Sequence, residues 1–358
     1  MELQPLLQLS ALASFVASIY YILDVCDTNQ LLVLRRCYND LTEMSDEHFQ
    51  DNFGINHTEF DQIHKALKLP PLIKTDVQDS EDSCTALLML LAYLRGRTIC
   101  GLESQYRWSK SRISRVRAKI VELILQKWGH LLDVRMCGNT LLSKDNLQTY
   151  TEQIRSKCGV DLVWGFVDGT LRPVARPTRG QEAVYNGWKH FHALKYQIIS
   201  TPDGLIFAQG PWDGSENDWS VWKKSGVAEW LQTASQQENN KQLFLFGDKG
   251  YHLDSNLIVP YKGNNITAEQ THFNVIMSKY RITVEWAIGS VGVLFPRLNN
   301  RQQQKFLLTP VASDYLVGII LRNALSCLKG NTTSQYFELD PPSLEMYFRE
   351  TDLIPAVA

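Results

Sequence analysis

No two of the seven cysteines stand in a CxxC pair. A zinc knuckle or a dithiol redox motif needs that spacing, so neither is indicated. The odd, dispersed set fits a reducing compartment better than a disulfide framework. A basic excess is also missing, because 36 Lys and Arg face 38 Asp and Glu for a net charge of −2. That excludes a uniformly basic nucleic-acid binder but leaves room for a local basic patch. Outside residues 6–23, no run approaches the roughly 18 apolar residues that a membrane span needs. Within 6–23 Gln8 interrupts the run, and no Lys or Arg precedes it. A docked helix is therefore expected there rather than a secretory signal. What is present is ordinary for a globular chain, 44% hydrophobic and 21% charged residues. At 358 residues it can hold two domains, or one large domain with an accessory module.

Residues 1–80 read as helical and irregular, with Phe53, Ile55, Phe60, Ile63, Leu67 and Leu69 as core candidates and Pro70 and Pro71 as a stop. Residues 74–83 (KTDVQDSEDS) read as an exposed acidic loop. Next comes a strongly apolar helix over 86–94, then a short helix from Ile99 with Thr98 as its N-cap. A turn at 108–111 leads into a longer helix over about 112–125. Its apolar stripe is Ile113, Val116, Ile120 and Leu123, and a second stripe holds Arg112, Arg115 and Lys119.

Two short helices, a turn and a longer helix with a basic face make the layout of a helix-turn-helix. Between Arg95 and Ile120 eight basic residues face one acid, a local charge of +7. Arg107, Lys110, Arg112, Arg115, Arg117 and Lys119 are the candidate DNA contacts, with serines at 109, 111 and 114 to reach phosphates. The alternative is a solvated helix face.

A polar connector with one helix spans 133–160. Residues 163–170 (VWGFVDGT) then form a short, nearly unbroken apolar run that suits a strand buried on both faces. Asp168 closes it and Gly169 follows. An Asp-Gly pair reads as an Asx-type turn. A carboxylate at a buried strand end also reads as a metal ligand or catalytic acid, since it is costly to leave unpaired. Strands are expected over 192–200 and 205–209, joined by the turn 201–204, with a helix over 219–233. A further apolar strand, 243–246 (LFLF), leads into Asp248. A helix over 274–295 presents Ser278, Arg281, Glu285, Gly289 and Gly292 on one stripe. Interior glycines cost about 1 kcal/mol each relative to Ala, so either strand ends, metal or nucleic acid approach that face or the glycines are merely tolerated.

Three antiparallel strands, a helix, a further strand and a later helix is the order of an RNase H-like fold, in which the first and fourth strands lie side by side. Asp168, Asp248 and Glu285 would meet at one edge. Clustered carboxylates repel unless a cation neutralises them, and an all-oxygen set suits Mg²⁺ or Mn²⁺. Two such ions can activate a water or a 3′-hydroxyl for phosphodiester displacement.

The same residues carry a resemblance to a known family. Asp168 in VDGT is followed by Tyr185-Asn186-Gly187 with Lys189, His192, Lys195 and Gln197, then by Pro202-Asp203-Gly204-Leu205 and the segment 214–218. Gly247-Asp248, Gly250-Tyr251, Asn274, Ser278, Arg281 and Val284-Glu285-Trp286 continue the series, which ends near Leu321-Arg322-Asn323-Ala324. Over about 161–330 this ordered set resembles the PIF/Harbinger-type DDE transposases, a Harbinger transposase-derived nuclease group within the DDE superfamily endonucleases. The resemblance implies Asp168, Asp248 and Glu285 as the catalytic and metal-binding triad. It also implies Asp218 as a further acidic position, and a separate Myb/SANT-like DNA-binding partner. Departures are Asn217 where a His is common, Lys249 where a small residue is usual, and a segment 290–293 without basic residues. His190 and His192 read as positioning or phosphate contacts, since hard cations prefer oxygen. Lys189 and Arg281 join them as supporting residues.

The expected architecture is α/β: an RNase H-like core, a mixed sheet flanked by helices, over 161–330, with an all-α helix-turn-helix region before it. Residues 1–80 form the N-terminal helical region, 81–132 the DNA-binding region, 133–160 the connector and 331–358 a tail. The expected function is a nuclear, metal-dependent DNA endonuclease and strand transferase, with a homo-oligomer left open and no membrane role. The alternative is a domesticated descendant that binds DNA without cutting it.

Overall fold

The computed structural model describes residues 43–77, 79–137, 140–236, 242–306 and 308–350. The apolar stretch 6–23 therefore lies outside the described residues. The first helices, α1 (Asp46–Phe53) and α2 (His57–Leu67), start where the sequence offers caps: Ser45 accepts from the His48 N–H, and Asn56 and Glu59 form a capping box. The predicted acidic loop is instead the return of a hairpin. Strand β1 (Leu72–Lys74) pairs antiparallel with β2 (Ser80–Asp82), and Glu81 is fully buried. Its burial has a tertiary cause, the Arg112 guanidinium 2.9 Å away.

Helix α3 (Ser83–Leu94) is buried along almost its whole length. Helix α4 (Ile99–Tyr106) is capped by Thr98 as its sequence predicts, and α5 (Lys110–Trp128) by Ser109. Helix α6 (Lys144–Cys158) then leads into the sheet.

Strand β3 (Val163–Pro173) is the centre of that sheet. After the short helix α7 (Gln181–Val184) come β4 (Tyr185–Asn186), β5 (Phe191–Ser200) and β6 (Ile206–Asp213). β5 pairs antiparallel with β3, β6 and β4. The predicted helix over 219–233 is two, α8 (Asp218–Ser225) and α9 (Val227–Gln236), because Gly226 between them adopts φ +70°. Strands β7 (Phe244–Phe246) and β8 (Leu257–Ile258) add in parallel on the other side of β3, giving the order β6-β5-β3-β7-β8. This is a mixed sheet flanked by helices.

Helix α10 (Ala268–Leu294) packs on β3 and β5. It starts six residues before the expected 274, at a Thr267–Gln270 capping box. Of its two stripe glycines, Gly292 is approached closely by the Asn299 side chain, and Gly289 meets nothing within 4 Å. Helix α11 (Val311–Lys329) is long and apolar enough to cross a membrane by length and composition, yet 72% of that window is buried in protein. It is a core helix, followed by α12 (Thr332–Phe337) and α13 (Leu344–Tyr347).

Polar side chains tie the early helices to this core. Arg117 on α5 donates to both carboxylate oxygens of Asp314 on α11, at 2.7 and 2.6 Å. Arg95 donates to the Leu294 carbonyl at the end of α10. Among the described residues, no cysteine is in a disulfide.

Candidate active site

In the parallel pairing of β3 with β7, the last paired residues are Phe166 and Phe246. Asp168 and Asp248 each stand two residues beyond that pair, so neighbouring strands deliver them to the same sheet edge. The buried run that sets the register is apolar on both strands. Gly165 lets β3 close up on both neighbours, since a Cβ there would lie 2.9 Å from the Ser200 carbonyl oxygen on β5 and 3.2 Å from the Leu245 side chain on β7.

Asp168 is not a turn residue. β3 runs straight through Asp168 and Gly169 to Pro173, paired with β5 throughout. Asp168 Oδ1 accepts from the Gly169 N–H at 2.9 Å, and Oδ2 lies 3.2 Å from Arg281 Nη1. Burial pushes the Asp168 carboxyl up to about 6, against the pull of Arg281 and with the charges of Asp248 and Asp218 adding to the rise. Asp168, Asp218 and Asp248 thus lie close enough to feel one another's charge.

Gly169 has a different use from turning the chain. A Cβ on it would fall 1.6 Å from Asp218 Oδ1, so the missing side chain is the seat of a third aspartate. Gly250 has a related role, because its Cβ position lies 3.0 Å from Asp248 Oδ1 and 3.2 Å from Asp218 Oδ2. The Gly250 N–H also donates to Asp248 at 2.8 Å. Asp218 opens α8 and is held by Lys195 Nζ at 2.9 Å, a nearly buried lysine on β5. Sequence reasoning did not pair Lys195 with Asp218. Strand alternation puts Lys195 and Gly169 on one face, but only the fold brings α8 over it.

Glu285 on α10 is half exposed and accepts from Arg281 Nη2 at 2.5 Å, one turn away. Arg281 thus bridges Glu285 and Asp168. Among the described residues, no group of three or more His, Cys, Asp or Glu side chains is gathered closely enough to hold a metal ion. The pair Asp168 and Asp248 does fit a hard divalent cation. Its donors are all carboxylate oxygens, and β3 and β7 deliver both to the same end of the sheet.

The predicted DNA-contact residues are mostly occupied. Arg112 pairs with Glu81, Arg115 with Asp79 at 2.7 Å, Lys119 with Glu122 and Lys110 with Glu103. Arg117 is 3% exposed and bound to Asp314, so it is a structural ion pair and not a surface contact. Arg107, at the αL C-cap of α4, is exposed and in no salt bridge among the described residues. The missed signal was the acidic run just upstream, which folds back as β2 against this stripe. Of the supporting residues, Arg281 and Asp218 reach the site. Lys189 and His192 do not. His192 is six residues along β5 from Ile198, the partner of Asp168, which is about 20 Å in a strand.

Residues 167–322 match the family described as DDE superfamily endonuclease. The chain is 24% identical over 242 residues to "Probable transposase for insertion sequence element IS702" of Microchaete diplosiphon, which covers 65% of this chain and 78% of that protein. No solved structure matches. The matched segment holds Asp168, Asp218, Asp248, Arg281 and Glu285 together. Over residues 167–322 the chain is thus similar to the DDE superfamily endonucleases.

Proposed function

We propose that this chain is a divalent-metal-dependent DNA nuclease of transposase type. It cuts phosphodiester bonds at the ends of a DNA element and joins the freed 3′-hydroxyl to target DNA. The observation that carries this reading is the register of β3 on β7, which sets Asp168 and Asp248 side by side. Asp168, Asp248 and, once free of Arg281, Glu285 are the residues that would hold Mg²⁺ or Mn²⁺, as two ions. Metal bound there would activate a water or 3′-hydroxyl and stabilise the leaving oxygen. The protein's own part is to hold Asp218 on Lys195, which fixes one wall of the site, and to neutralise Asp168 and Glu285 with Arg281.

The finer assignment follows the resemblance: a Harbinger-type transposase working in the nucleus with a Myb/SANT-like partner and, in a homo-oligomer, on paired DNA ends. The helices α4 and α5 are read as a helix-turn-helix whose free cation is Arg107. The test is nicking of DNA that carries candidate terminal repeats, in Mg²⁺ or Mn²⁺, by wild type and by Asp248→Asn. Metal-dependent nicks from the wild type alone are expected. Equal cleavage by both proteins overturns the triad.

A second reading is a descendant that binds DNA without cutting. The pairing of Glu285 with Arg281, away from a three-acid cluster, favours it. Specific binding with no cleavage in any metal would select this reading over the first.

A further inference from the structure

Eight of the nine tryptophans are buried or half-buried, but Trp188 is 85% exposed, more than any other large apolar side chain among the described residues. It sits at the tip of the turn between β4 and β5, and that turn is pinned. The buried Asn186 side chain donates to the Gly214 carbonyl at 2.7 Å and accepts from the Lys189 N–H at 2.8 Å. The His190 N–H closes on the Asn186 carbonyl, with His190 at φ +58°. A rigid turn therefore holds an indole out in water.

Its surroundings are basic. The Ala175 N–H donates to the Gln304 carbonyl, which brings the segment 297–305 beside the end of β3. Arg176 and Arg301 both act on His192, which packs on Tyr185 at 5.2 Å. Arg176, Arg179, Lys189, Arg301 and Lys305 are all exposed, and none is in a salt bridge among the described residues. Glu182 and Asp213 are the acids in this neighbourhood. The contrast with α5, whose cations are almost all paired, is the reason to look here.

We propose that this end of the β3–β5 ribbon binds DNA, with the Trp188 indole stacked on an unpaired base and the free cations on the flanking phosphates. The inference rests on the nuclease reading for its substrate class and adds where the strand runs. Phosphates suit exposed Arg and Lys, and an exposed indole suits a base face. A duplex offers its grooves only base edges, so a stacked ring requires a single-stranded or frayed segment. Phe191 lies seven residues from Ile198 along β5, so the turn is about 23 Å from Asp168, some seven nucleotides.

The test uses the whole chain in EDTA, with a blunt duplex and a forked duplex that carries 2-aminopurine in its single-stranded arm. Trp188→Ala should bind the fork roughly 5- to 100-fold more weakly, bind the blunt duplex unchanged, and lose the quenching of 2-aminopurine. Trp188→Phe should keep most of the fork affinity. The double variant Arg301→Ala/Lys305→Ala should weaken both DNAs and lower the salt slope by about 2. Wild-type binding that all these variants leave intact overturns this inference alone. Equal losses by Trp188→Ala on both DNAs overturn the stacking. A wild type that binds neither DNA overturns the inference and the nuclease reading together.

Discussion

Replacing Arg117 by Met removes one half of an ion pair that is out of water on both sides. The Arg117 side chain is 4% exposed and that of Asp314 is 2% exposed. One guanidinium nitrogen holds both carboxylate oxygens, and the guanidinium also lies 4.5 Å over the Tyr93 ring. Burial pushes the Asp314 carboxyl up, and Arg117 is the main group pulling it down. Without Arg117 the carboxylate is left uncompensated in the interior. A one-sided break of a buried pair costs about 3–5 kcal/mol, a large part of the 5–15 kcal/mol that typically holds a domain together. The double variant Arg117→Met/Asp314→Leu removes both desolvation costs and should recover most of the loss. Urea unfolding followed by circular dichroism reads the midpoints, with the single variant lowest and the double close to wild type. DNA affinity per folded molecule should not change in either. A single variant within 1 kcal/mol of wild type, or one that loses DNA affinity at unchanged stability, refutes the assignment of Arg117 as a strut between α5 and α11.

Three further outcomes follow from the site and the hairpin. Gly169→Ala places a methyl on the Asp218 carboxylate, so nicking should fall by about 100-fold or more while the far-ultraviolet spectrum stays native; full activity would show that Asp218 is dispensable. Arg281→Gln removes the cation shared by Asp168 and Glu285, and should tighten Mn²⁺ binding several-fold in a paramagnetic resonance titration; weaker binding would mean that Arg281 orders the acids instead of competing for them. Burial pushes Glu81 up from an ordinary 4.5 to about 8, with Asp82 adding and Arg112 opposing. A raised carboxyl binds its proton more tightly in the folded state, so its stabilising contribution is whole below 4.5 and is lost as pH rises through 8. Glu81→Gln should flatten that decline between pH 5 and 8 by on the order of a few kcal/mol. An unchanged slope removes Glu81 as its source.

The buried runs at 163–167 and 243–246, the carboxylates that follow them, and the cap at Thr98 are legible in the sequence because each depends on neighbours a few residues away. Alternation, apolar runs and capping side chains are local signals, and their order along the chain is enough to bring Asp168 and Asp248 to one edge. What the local signals misjudge is the use of charge. The basic stripe on α5 reads as a DNA face until β2 folds back to supply Asp79 and Glu81 and α11 supplies Asp314. Gly169 reads as a turn until α8 seats Asp218 in the space where its side chain would be. Glu285 reads as the third ligand until Arg281, on the same helix, is found between it and Asp168. The sequence by itself determines most of the helices, the buried runs of β3 and β7, and the acids that follow those runs. Only the tertiary structure decides which charges remain free, because an ion pair such as Arg117 with Asp314 depends on a partner 197 residues away and on how much water the fold leaves around it.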